Sequence, residues 1–222
     1  MICITKHQTS AQKPHQTIRL YIIQSVAAAA LGLLTSMSYG NNGDAEAGAT
    51  KAATCAACHG PAGNSVVAMW PSIAGQHESY IAATLTAFKS GDRQDPVMGA
   101  QAMILQDQDI ADLAAYYSQQ SGARRTANPD LATAGERLYR GGNKDTKVSA
   151  CIACHGPKGR GNEPAGYPSL MGQHAVYTAK QLNDYKSGQR KSDGNERMMR
   201  MITERLTNKE IQEVSAYIQG LR

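Results

Sequence analysis

Two copies of Cys-x-x-Cys-His, set 96 positions apart, constrain this chain more than any other feature. Cys55-Ala56-Ala57-Cys58-His59-Gly60-Pro61 recurs as Cys151-Ile152-Ala153-Cys154-His155-Gly156-Pro157. The likeness continues downstream. Pro71-Ser72-Ile73-Ala74-Gly75-Gln76-His77 matches Pro168-Ser169-Leu170-Met171-Gly172-Gln173-His174, and Phe88-Lys89-Ser90-Gly91 matches Tyr185-Lys186-Ser187-Gly188, both at a shift of 97. Leu105, Asp109, Ile110, Ala115 and Tyr116 match Leu206, Glu210, Ile211, Ala216 and Tyr217 at a shift of 101. The shift changes only where short insertions fall in loop-like sequence. A whole domain is therefore duplicated, rather than a short unit repeated along a solenoid.

The spacing within the motif carries chemistry. On a helical turn, residues i and i+3 point the same way. Two thiols so placed can add to the two vinyl groups on one edge of a porphyrin, and the His that follows reaches the iron. The pattern is that of c-type haem attachment, through Cys55 and Cys58 in one half and Cys151 and Cys154 in the other. Two competing uses are weaker. A thioredoxin-like dithiol sits in a strand–helix setting that this sequence lacks. A structural zinc needs four ligands, and each half offers Cys, Cys and His with only His77 or His174 as a further local imidazole.

With His59 and His155 as iron ligands, one axial position remains at each iron. A thioether there raises the reduction potential and suits electron transfer. The methionines compete, and the repeat chooses among them. At the shift of 101, Met98 falls on Met199, whereas Met103 falls on Glu204, and Met198 and Met201 fall on Val97 and Ala100. Met69 stands ten residues past His59, too near to reach the opposite haem face. Met98 and Met199 are the expected ligands, and Met69, Met103, Met171, Met198 and Met201 are read as packing residues. His77 and His174 also repeat, but each opens a helical stretch, so a surface or helix-capping role is expected. A ligating imidazole needs an acceptor for its second N–H. The carbonyls of Pro71 and Pro168 stand in the matched turns; the other reading of those prolines is a plain rigid turn. Tyr80, Tyr177, Arg93 and Arg190 repeat too, and two readings stand for them: contacts to haem propionates, or solvated surface positions.

The N-terminus reads as an export signal. Lys6, Lys13 and Arg19 precede an apolar run from Tyr21 to Leu34, no acid occurs before Asp44, and Ser38-Tyr39-Gly40 offers a cleavage site. The run is short for a membrane span, so a cleaved leader over 1–40 is favoured over an uncleaved anchor, and Cys3 leaves with it. Without the leader, 20 basic residues face 18 acidic ones, which does not mark a nucleic-acid binder. With 41% apolar and 18% charged residues the chain is globular. One Trp, one Phe and ten Tyr leave little aromatic bulk for two cores, and a haem in each would fill them.

The domains are expected at 41–122 and 123–222, divided near Ser121–Pro129. Helical periodicity predicts four helices in each half, near 44–57, 77–90, 95–103 and 107–119, then near 130–140, 174–187, 195–202 and 207–220. Asp107 and Thr207 look like N-caps. Val148 to Cys154 has strand-like composition with no evident partner.

On these residues the chain resembles cytochrome c4, a family of exported dihaem cytochromes, from about Gly43 to Arg222. The most specific pieces are Gly43-Asp44-Ala45-Glu46-Ala47-Gly48, the two haem motifs, Gly172-Gln173-His174-Ala175 and Ala216-Tyr217-Ile218-Gln219-Gly220-Leu221. The resemblance implies an all-α fold of two tandem cytochrome c domains related by pseudo-twofold symmetry, with haems facing one another near the interface. It implies His/Met ligation, a periplasmic location, and single-electron transfer from a membrane cytochrome complex toward a terminal oxidase, with no substrate chemistry. Peripheral association with the membrane stays open, as does service as a haem-bearing subunit of a larger complex. The alternative is a dihaem oxidoreductase, peroxidase-like or acting on sulfur compounds, which needs an open iron site.

Overall fold

The structure is a computed structural model that describes residues 42–222, and the leader expected over 1–40 lies outside the described residues. The described residues form one compact unit. In the first half the helices are α1 (Ala45–Lys51), α2 (Ala53–His59), α3 (Glu78–Ser90), α4 (Pro96–Met103) and α5 (Asp107–Ser118). In the second they are α6 (Pro129–Gly141), α7 (Ile152–His155), α8 (Ala175–Ser187), α9 (Met198–Thr203) and α10 (Asn208–Gln219). Among the described residues there is no strand, only isolated bridges at Asn143–Val148 and Asn162–Tyr167.

Short polar side chains start these helices by accepting otherwise orphaned N–H groups. Asp44 accepts from Glu46 and Ala47, and Asp95 accepts from Val97 and Met98. Pro96 and Pro129 supply a preset first-turn φ. Thr207 and Glu210 form a reciprocal capping box, with bonds of 2.7 and 3.1 Å. Left-handed Gly91 and Gly188 end α3 and α8.

Three expectations are corrected, and the strand-like run from Val148 to Cys154 lacks a partner strand, as expected. The helix expected over 44–57 runs to His59, and Ala52 divides it into α1 and α2. Asp107 is not an N-cap. Gln106 takes that place, its N–H donating to Asp109 Oδ2 at 2.8 Å, because the side chain three residues on is the one that can reach back. Val148 pairs only with Asn143, closing a loop, and Cys151 opens a helical turn, so the apolar run makes no strand. The helix expected from 195 starts at Met198, since Arg197 adopts a left-handed φ of 52°.

In each half the first helix crosses the last. The crossing is close enough that a Cβ on Gly48 would lie 2.0 Å from Asp112 O, and one on Gly135 2.0 Å from Glu213 O. Beneath α1 and α5 a small core gathers Ala52, Ile81, Leu113, Ala114 and Tyr117. The second half builds a larger one from Leu138, Tyr139, Val148, Ala179, Leu206, Ile211, Val214, Ile218 and Leu221. No helix among the described residues is long and apolar enough to cross a membrane.

Candidate haem sites

Each Cys-x-x-Cys-His lies on a helical turn, as the spacing requires. Cys55 and Cys58 project from α2, and Cys151 and Cys154 from the start of α7; all four are half-buried. Burial pushes the Cys55 thiol up and carries Cys151 to about 11. These are not the acidified thiolates of a dithiol redox centre. Among the described residues no three His, Cys, Asp or Glu side chains converge as a metal cluster, so a zinc site has no ligand set.

His59 and His155 close their helices and are buried. Their Nδ1 atoms lie 2.8 Å from Pro71 O and 3.0 Å from Pro168 O. A carbonyl can only accept, so each Nδ1 carries the proton and each Nε2 keeps its lone pair. Burial holds both imidazoles below the usual range, against the pull of the carbonyls, which favours the neutral form a metal binds. The expected carbonyl acceptors are therefore in place, and the two prolines are more than rigid turns.

Met98 lies on the first turn of α4 and Met199 on the first turn of α9, both half-buried. Their competitors, expected as packing residues, instead face solvent: Met69 is 67% exposed, Met103 69% and Met201 51%, with Met171 and Met198 at 37%. Helix α4 packs on α3, and α9 packs on α8, so the two methionines occupy matched places in the two halves.

The repeated Arg and Tyr residues are not solvated. Arg93 and Arg190 are both buried, and neither has a carboxylate within ion-pair distance among the described residues. Each donates across to the other half: Arg93 to Tyr177 Oη at 2.9 Å, Arg190 to Tyr80 Oη at 2.8 Å. Gln181 Oε1 bridges both guanidinium groups, at 2.7 and 2.8 Å. Burial alone would raise the Tyr80 phenol, but Arg190 and Arg93 outweigh it and bring it down to about 8. Two buried cations without an anion are costly. A haem brings carboxylates of the missing sign, and the residues present fit it.

Three features of this region escaped the sequence reading. The repeated Gln76 and Gln173 cross the interface to Ser169 and Ser72. Arg125, which has no counterpart in the repeat, donates to Gly172 O, Ser65 O and Ser72 Oγ and so ties the linker to both halves. His77 and His174 stand at the N-cap positions of α3 and α8 but cap with backbone alone. The His174 ring is buried and donates from Nε2 to Ser65 O in the first half at 2.9 Å, while His77 Nδ1 faces Glu163 of the second at 3.8 Å. The expected surface role is corrected: both rings point across the interface. The identity of Ser and Gln in both copies of the turn was the signal available.

The cytochrome c family pattern matches residues 45–121 and 132–222, one copy in each half. Cytochrome c4 of Azotobacter vinelandii is 47% identical over 188 residues, spanning 81% of this chain and 90% of the relative. The chain belongs to the cytochrome c4 family. The crystal structure of reduced recombinant cytochrome c4 from Pseudomonas stutzeri matches with a TM-score of 0.79 at 46% identity, over 81% of this chain and all of that one. A more distant relative, the thiosulfate dehydrogenase electron acceptor of Stutzerimonas stutzeri strain A1501, is 33% identical over 90% of this chain and 94% of its own length. The protein is thus an all-α cytochrome with two tandem cytochrome c domains and two covalent haem c groups, and it transfers electrons.

Proposed function

We propose that this protein is a periplasmic single-electron relay with both iron sites closed, not an enzyme. Cys55 and Cys58 would hold one haem and Cys151 and Cys154 the other; His59 with Met98, and His155 with Met199, would complete the two irons. The haems supply the one-electron couple; the chain supplies ligands, burial and docking faces. One observation carries the reading. Each half presents a buried imidazole with its Nδ1 proton tied to a proline carbonyl, and a half-buried Met at the matched place. Neither half then leaves an iron position for substrate. The anion-free Arg93 and Arg190 are read as propionate partners. We further propose a leader over 1–40 and domains over 41–122 and 123–222.

The partner reading rests on charge. Residues 41–122 carry 3 basic and 8 acidic side chains, and residues 123–222 carry 17 and 10. The second half would receive an acidic redox partner, such as a membrane cytochrome complex or a terminal oxidase. The first half, with exposed Val66, Met69, Met103 and Ile104, offers apolar surface instead. Transient redox docking needs only a small interface.

The test is an absorption spectrum with mass spectrometry of the exported chain, followed by carbon monoxide addition to the reduced protein. The expected result is a mass two haems above the mature polypeptide, a Met-ligated spectrum and no carbon monoxide adduct. Ready binding at one haem, with peroxide turnover, would favour the dihaem oxidoreductase instead.

A further inference from the structure

The turn that accepts each ligand's proton also forms the contact between the halves, and it does both with one peptide group. His59 Nδ1 donates to Pro71 O at 2.8 Å, and the N–H of that same peptide unit, on Ser72, donates to Gln173 Oε1 at 3.0 Å. The second half repeats the arrangement. His155 Nδ1 donates to Pro168 O at 3.0 Å, and Ser169 N–H donates to Gln76 Oε1 at 2.9 Å. Each glutamine also donates from Nε2 to the carbonyl of the same serine, at 2.8 Å for Gln173 and 2.9 Å for Gln76. Their amide orientations are fixed. Each Oε1 takes a second N–H from the following His, at 3.0 Å in both cases, and a flipped amide would set NH2 against two donors.

We infer that Gln173 tunes the haem of the first half, and Gln76 the haem of the second, through the Pro71–Ser72 and Pro168–Ser169 peptide groups. This rests on the reading of His59 and His155 as iron ligands. The chain of bonds is cooperative. When the serine N–H donates, the peptide polarises and its carbonyl oxygen becomes a better acceptor. A stronger bond at Nδ1 makes the imidazole a more electron-rich ligand. Such a ligand favours ferric over ferrous iron, so each glutamine lowers the potential of the haem in the opposite half. The coupling is reciprocal. Loss of an electron at one iron strengthens the Nδ1 bond and with it the glutamine's hold, so the interface reads the oxidation state of both haems. Gln76 and Gln173 are positioning residues: neither touches an iron ligand, and each acts through a peptide.

The experiment is a redox titration of the holoprotein and its Gln173→Leu and Gln76→Leu variants. Haem methyl proton resonances follow the two haems separately. Gln173→Leu is expected to raise the ferrous-to-ferric ratio of the first haem about threefold at fixed ambient potential, about 30 mV at 59 mV per tenfold, with the second haem moving far less. Gln76→Leu should do the reverse. Both variants open the same interface, so simple loosening would move the haems alike in both. Equal movement, movement confined to the glutamine's own half, or no movement overturns the inference. If Gln173→Leu does not fold, Gln173→Glu keeps an acceptor on the Ser72 N–H. It should lower the first haem's potential more than the second's, and equal lowering overturns the inference as well. A wild-type spectrum lacking low-spin His/Met ligation would instead defeat the reading on which this rests.

Discussion

A methionine becomes an iron ligand by being held, not by being present, and this chain has several within reach of each motif. Met98 has a fixed backbone because Asp95 accepts its N–H at 3.0 Å. Met199 lies on a helix closed by Thr203, whose hydroxyl donates to Met199 O at 2.8 Å. Removing the thioether should leave one open iron. Met98→Ala is expected to bind carbon monoxide at one haem per chain once reduced, and to lower that haem's potential. Met103→Ala should do neither, since that side chain faces solvent. Optical titration and voltammetry of the two variants decide it. The Cys and His residues were legible because haem attachment fixes residue type and spacing together. The proposal of Met98 and Met199 as the second ligands had only the repeat to choose them among the methionines. Arg93 and Arg190 were half legible. Their recurrence marked them, but their burial depends on Tyr177 and Tyr80 in the opposite half, which no local pattern reveals.

At the scale of the element, the α1–α5 crossing sets how firmly the first motif is held, since α1 leads into α2. Helix propensity alone would make Gly48→Ala stabilising, by about 0.5–1 kcal/mol. Packing decides otherwise, because the new Cβ would meet a backbone oxygen at 2.0 Å. We expect Gly48→Ala to cost about 3 kcal/mol in denaturant unfolding of the holoprotein, the upper end for overpacking. The same crossing buries Asp112, which accepts from Lys51, from Asp44 N–H at 2.8 Å and from Gln108 at 2.7 Å. Lys51 first, then the Asp44 N–H, hold its carboxyl down to about 2. A carboxyl depressed in the folded state stabilises it above the unfolded pKa, near 4. That contribution drains away as pH falls from about 4 to about 2. Asp112→Asn should lower stability at neutral pH and flatten the acid limb of a stability-against-pH curve across that window. Most helices were legible from periodicity and caps. The misses came at their ends: Gln106 caps through a local reach-back from Asp109 that apolar periodicity does not register, Ala52 packs into the core, and Arg197 takes a left-handed φ that its residue type does not announce.

For the whole molecule, duplication gives two similar sites and composition makes their surroundings unlike. The fold of each half could be read from its repeat. The way the halves face each other could not, because reciprocal bonds such as Gln76 to Ser169 and Gln173 to Ser72 join positions that sequence shows only as alike. The excess of acid in 41–122 and of base in 123–222 would bias the fields over the two proposed haem sites toward opposite signs. Fields of this kind steer small charged reagents and alter encounter rates by about 10 to 1,000-fold. Ferricyanide, an anion, should therefore oxidise the haem of the second half first, and hexaamminecobalt(III), a cation, that of the first. The preference should be about tenfold at low salt. It should shrink toward parity as the screening length falls from about 30 Å at 0.01 M to about 3 Å at 1 M. Stopped-flow oxidation with the haems resolved by their spectra measures this. A preference that ignored both the sign of the reagent and the salt would mean that haem potential, not surface charge, chooses the point of entry.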